Sequence, residues 1–195
     1  EWYSLWTQYA MLYCCLFAPA LTGVYCAYVC RLEHLNHNWN QVFTQPVGAL
    51  TLVLSKLAVV SGLSVVTQAL IGLFFILGGK LAGITAPVPV ELVYWLLRGW
   101  MSLTVYAALL LLPSLIFRSF AIPVAIGMLA GFLGLPALAK GLGGYYPFSL
   151  VPLSMCSNKP TEPMQCSAAL FAVSCAVWLT LGVIGCSAWL RRTDV

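Results

Sequence analysis

Few side chains in this sequence could do chemistry, and each place where they gather can be held against the chemistry it would need. Glu33-His34-Leu-Asn-His37 puts two imidazoles three residues apart, on one face of a helix, beside a carboxylate. A zinc hydrolase uses His-Glu-x-x-His and further ligands, and neither is present, so the pair is read as polar surface. Gly79-Lys80 has the ending of a phosphate-binding loop. Phe74 stands where its first glycine belongs, however, and Leu81 where its Ser or Thr belongs. There is no Gly-x-Ser-x-Gly elbow, and no two carboxylates share one apolar segment. The sequence therefore offers no catalytic residue, no metal ligand set and no cofactor site, and an enzyme is not expected.

What remains is a set of isolated charges and thiols in a greasy chain. With 62% hydrophobic and 7% charged residues, the sequence lies far from the roughly 25% charged residues of soluble domains. Its mean hydropathy is +0.94. It reads as an all-α polytopic transmembrane helical bundle in contact with membrane lipid. The net charge of +4 is dispersed and forms no basic strip interleaved with aromatics, which argues against a nucleic-acid partner.

Five spans are visible, at about 6–29, 49–77, 92–112, 122–138 and 167–190, in a single domain over 1–195. Trp2, Tyr3 and Trp6 are expected to form an interfacial aromatic belt, and Pro19 to kink the first span. Pro113 is expected to close the third span. Residues 139–165, rich in Gly and Pro, are expected to be a polar outer connector.

Arg98 is the ionisable residue well inside a span. Such a residue is a candidate for an export path; alternatively it snorkels towards Glu91, on nearly the same helical face. Gly127-x-x-x-Gly131 lets a helix backbone approach a neighbour closely. Cys14, Cys15, Cys26, Cys30, Cys175 and Cys186 behave as small buried hydrophobes. Cys156 and Cys166 fall in the outer connector and are candidates for a disulfide closing it.

The polar island from Arg31 to Pro46 separates the first two spans. Read as a helix from Arg31 to Phe43, it places Leu32, Leu35, Trp39 and Phe43 on one face, an interfacial arrangement. Pro46 ends it, and Lys56 sits at the foot of the next span. With this island cytoplasmic, Arg31, Lys56, Arg118, Arg191 and Arg192 lie inside and Lys80, Lys140 and Lys159 outside, a weak inside excess that places the C-terminus in the cytoplasm.

The order of Glu33, Trp39, Pro46-Val47 and then Ser55-Lys56-Leu57 resembles permease subunits of ABC-2-type transporters, nearest the lantibiotic-immunity and bacitracin-export group. The resemblance implies a multi-pass cell-membrane permease, paired with a second permease subunit as a homo- or heterodimer. Each permease would dock a separate ABC ATPase that holds ATP and Mg. Glu33, Trp39, Pro46 and Lys56 would then belong to a cytoplasmic coupling segment over 31–48. It also implies six spans, one of them preceding Glu1, and as cargo lantibiotic- or bacteriocin-like peptides or drugs, with bacteriocin immunity or antibiotic resistance as the result. The residues leave a second reading open, a non-transporting anchor or sensor that binds a cytoplasmic partner through the 31–43 helix.

Overall fold

In hydrocarbon no water can satisfy a free amide, so uncharged runs of this length fold as helices. The computed structural model describes residues 1–34 and 48–193, with no strand among them. Helix α1 (Trp2–Leu12) continues through a single π turn (Tyr13–Phe17) into α2 (Ala18–His34). Then come α3 (Ala49–Leu81), α4 (Glu91–Ile116), α5 (Ala121–Ala139), a 3-10 turn (Pro147–Ser149), short α6 (Leu150–Ser154) and α7 (Ala168–Thr193). Five stretches are long and apolar enough to cross a membrane: Trp2–Arg31, Ala49–Leu81, Glu91–Ile116, Ala121–Ala139 and Ala168–Arg192. They contain the expected spans to within a residue, and the chain is an all-α multi-pass bundle.

The π turn is how the first span absorbs Pro19. A proline ring collides with the carbonyl four residues earlier, here that of Cys15, and supplies no amide. The chain takes one extra residue into the preceding turn, so that the Ala18 amide bonds back to the Tyr13 carbonyl. Pro113, by contrast, does not end its helix, which continues to Ile116. A proline inside a membrane helix costs less than in water, because neighbouring elements can satisfy the freed carbonyl.

The centre of the bundle is α4, which packs against α2, α3, α5, α6 and α7. Its span is 61% buried, against 28% for α7, so α7 presents most of its apolar surface outward. Small residues set the closest approaches. A Cβ on Gly131 would lie 2.5 Å from the Pro19 ring and 3.2 Å from the Cys15 carbonyl, and one on Gly127 would lie 3.1 Å from the Pro19 carbonyl. Gly23 faces the Val124 backbone in the same way, so α2 and α5 pack with little side chain between them.

Two expectations are corrected here. Trp2 and Trp6 are buried and form no belt. Trp6 stacks on Trp95 at 4.8 Å and meets Phe75 edge-on at 4.9 Å, while Trp2 covers Phe75 at 5.3 Å. The first half of the 139–165 connector is likewise no exposed loop. It turns back into the bundle as α6, of which every residue is buried, as are Met155 and Ser157. Non-helical backbone at such depth must have its polar groups met by protein. The Trp6 indole donates to the Met155 carbonyl at 2.9 Å, Ser102 donates to the Leu150 carbonyl at 3.2 Å and to Ser154 Oγ at 3.0 Å, and Ser149 donates to the Gly143 carbonyl at 2.9 Å.

Candidate functional site

Both ends of the bundle hold residues singled out from the sequence. At the end where α1 and α4 begin and α3 finishes, the Trp2 indole donates to the Ala86 carbonyl at 3.0 Å, and Lys80 Nζ lies 5.8 Å from the Trp2 ring centre. Between the start of α1, the first two turns of α4 and the chain after α6 lies an open cavity of about 630 Å³. Arg98 is on its wall, together with Tyr3, Glu91, Tyr94, Trp95 and Cys156.

Arg98 is half-buried and Glu91 exposed. Among the described residues no ion pair joins them. Seven residues separate them, which on a helix is nearly the same face but two turns, about 10.5 Å, along the axis. The other carboxylate on the cavity wall, Glu162, is taken by Lys159 at 3.0 Å.

Cys156 and Cys166 both line this cavity and both are free thiols. Burial pushes each thiol up from its ordinary range. For Cys156, the Arg98 guanidinium and a hydrogen bond from Trp95 offset part of that rise. Cys156 also adopts φ 47°, a left-handed backbone rare for a residue with a side chain, and its amide bonds to the Leu153 carbonyl at 3.2 Å. The left-handed turn follows α6, and the chain beyond it reaches the cavity wall at Pro160 to Met164 and Cys166.

At the opposite end α2 finishes and α3 begins. Lys56 is only 5% exposed, and its Nζ donates to the Val29 carbonyl at 3.1 Å. A buried ammonium at the last turns of α2 is favoured by the negative end of that helix, and it ties the foot of α3 to α2. Glu33 is part of α2 in its backbone; Trp39 and Pro46, with the rest of the expected helix beyond His34, lie outside the described residues. Antiparallel packing gathers Arg31, Lys56, Arg118, Arg191 and Arg192 at this end, and Lys80, Lys140 and Lys159 at the other.

The architecture is that of a multi-pass helical bundle, and comparison with known families decides which kind. A family model described as "ABC-2 family transporter protein" matches residues 1–134. The chain belongs to the ABC-2 transporter family. No curated protein and no solved structure matches it. In this ABC-2 permease the match takes in α1 to α4 and most of α5, and so includes Lys56, Arg98 and the glycine contacts with Pro19. The buried α6 and the whole of α7 fall beyond it. Family membership makes this a transport component of the membrane rather than a catalyst, and it implies association with an ABC ATPase.

Several residues of the cavity were not apparent from sequence. Tyr3, Tyr94 and Trp95 resemble any interfacial aromatics near a span end, and only the fold of residues 156–168 over them makes a concave site. The run Phe148–Met155, apolar amid polar and Gly-rich flanks, was the available signal that the connector turns inward.

Proposed function

We propose that this permease is the membrane-spanning subunit of an ATP-driven exporter. It works with a second permease subunit and a separate ATPase that carries ATP and Mg, and it removes amphipathic or cationic peptides of the lantibiotic or bacteriocin kind from the membrane. The observation that carries the reading is the family match over residues 1–134. The Lys56–Val29 tie supports it, because a force applied between α2 and α3 would be passed to both helices together. In this reading the end bearing Arg31, Arg118, Arg191 and Arg192 faces the cytoplasm and meets the ATPase.

The test is co-expression with an ABC ATPase encoded beside the permease gene, affinity purification through the permease, and ATP hydrolysis measured with and without a lantibiotic. Co-purification in a fixed ratio with peptide-stimulated hydrolysis is expected. Failure of the two to co-purify, or hydrolysis that ignores every peptide tried, overturns the exporter reading and leaves an anchor.

A further inference from the structure

At the α4-start end the cavity holds a cation and a carboxylate on nearly one helical face, neither with an ion-pair partner among the described residues, and this arrangement points to a ligand. We propose that it binds a short zwitterionic peptide, with the free carboxylate on Arg98 and the amino end two turns nearer the surface, at Glu91.

Each part of the proposal has its observation. The cavity, at about 630 Å³, lies within the range of ligand sites, roughly 300–1,000 Å³. Arg98 is half-buried on its wall and, among the described residues, has no carboxylate partner. A guanidinium held away from bulk water matches a carboxylate through two parallel N–H donors, and its burial is costly until an anion arrives. Glu162 cannot serve the same purpose within the cavity, since Lys159 already neutralises it at 3.0 Å. Glu91 is exposed on the same cavity and, among the described residues, has no ion-pair partner.

The spacing then selects among zwitterions. Arg98 and Glu91 stand about 10.5 Å apart along α4. An extended chain covers about 3.3–3.6 Å per residue, so a tripeptide holds its two ends at about 10–11 Å. A free amino acid, or the headgroup of a zwitterionic phospholipid, carries its charges closer together than this backbone spacing, so a peptide is the zwitterion that the spacing favours. On the same cavity wall, Tyr3 and Tyr94 supply aromatic surface with polar tips, suited to peptide planes and small side chains.

A tripeptide is far shorter than a lantibiotic, so this site goes beyond the export reading and does not define its cargo; binding itself stands on the cavity. The experiment therefore uses the purified permease alone in lipid nanodiscs, without ATPase, and measures binding of fluorescently detected tri-alanine, its C-terminal amide and its N-acetyl form. Tri-alanine is expected to bind, and amidation to weaken binding about tenfold or more, the scale of one lost charge-assisted contact. N-acetylation is expected to weaken it to a smaller degree, because Glu91 is exposed. Arg98→Gln should abolish the difference between acid and amide, Glu91→Gln the difference between amine and acetyl form, and Arg98→Lys should retain part of the first. Since the peptide series is run on the unaltered protein, a variant that fails to fold does not remove the test. Equal binding of acid and amide overturns the proposal, and so does displacement of tri-alanine by zwitterionic phospholipid at the stoichiometry of a lipid site. Peptide binding here without peptide-stimulated ATP hydrolysis in the complex would sustain the site and count against export.

Discussion

Lys56 Nζ donates a 3.1 Å hydrogen bond to the Val29 carbonyl, joining the foot of α3 to the last turns of α2 from a side chain only 5% exposed. A hydrogen bond from a charged donor contributes about 1.5–3 kcal/mol, and the carbonyl it serves would otherwise be left partly unmet. Lys56→Met keeps the length and apolar stem while removing the donor. The variant is expected to insert normally and to lose about 1–3 kcal/mol of stability, read as a lowered denaturation midpoint in detergent. A midpoint equal to that of the unaltered protein would show that the tie bears no strain.

The α2–α5 contact gives an internally controlled comparison between glycines. A Cβ at Gly131 would meet the Pro19 ring at 2.5 Å and the Cys15 carbonyl at 3.2 Å, whereas at Gly62 in α3 nothing lies within 4 Å. Overpacking a close contact costs about 1–3 kcal/mol, while replacing a helical glycine by alanine in open space gains about 0.5–1 kcal/mol. Gly131→Ala should therefore lower the thermal midpoint and Gly62→Ala should hold or raise it. Equal shifts of one sign would mean that helix propensity, not packing, governs both sites.

How legible these features were depends on what apolarity can report. Lipid tails and protein interior are both apolar, so hydropathy locates the five spans but cannot say which face of a span is covered. That is why Trp2 and Trp6 read as interfacial and prove to be buried against Phe75 and Trp95. Buried α6 is five residues long, too short to register as a span, and Pro152 within it, with Pro147 just before, gave it the look of a loop. The charges were the easier part. Arg98 and Lys56 stood out because charge in an apolar run is rare, yet their surroundings come from elements distant in sequence and needed the fold: a cavity wall shared with Tyr3 and Cys156 for one, the Val29 carbonyl for the other.

The thiols by the cavity carry a pH dependence whose sign can be worked out. Alkylation requires the thiolate, and burial raises both Cys156 and Cys166, so at pH 8 each should react more slowly than an exposed cysteine and accelerate as pH rises past 9. Arg98 pulls Cys156 back down, so Arg98→Gln should slow its alkylation at fixed pH. An unchanged rate would mean that the guanidinium does not act on this sulfur.

We also propose that an oxidant such as diamide bridges Cys156 and Cys166. Peptide mapping after oxidation should find both protected from alkylation until reductant is added, and released together. Protection of one without the other would exclude the bridge.

Orientation is open to a direct check by site-specific labelling. With the cationic end in the cytoplasm, a cysteine placed at Asn158 should react with an impermeant thiol reagent in intact cells, and one at Asn38 should not, in a background cleared of reactive native thiols. Labelling of the Asn38 site from outside would invert the bundle, and with it the proposed place of the ATPase.

The coupling segment makes the sharpest demand on the exporter reading. In the exporter reading the amphipathic helix expected from the sequence over 31–43, too short to span, would offer its apolar residues, Trp39 among them, to the membrane or to a groove on the ATPase, and Glu33 to a cationic or backbone partner there. The insertion energy resides in the spans, so Glu33→Ala and Trp39→Ala should each leave the permease in the membrane while releasing or uncoupling the ATPase. Truncating one partner of a desolvated charged contact costs about 2–5 kcal/mol, or about 30- to several-thousand-fold in affinity, whereas an exposed contact costs little. The measurement is ATPase co-purification and peptide-stimulated turnover in each variant, beside the Lys56→Met protein, whose altered stability controls for damage at the neighbouring helix foot. Loss of coupling in the Glu33 and Trp39 variants at unchanged denaturation midpoint is expected. Unchanged binding and turnover in both would withdraw the coupling role from this segment and favour an anchor that rests on the headgroups.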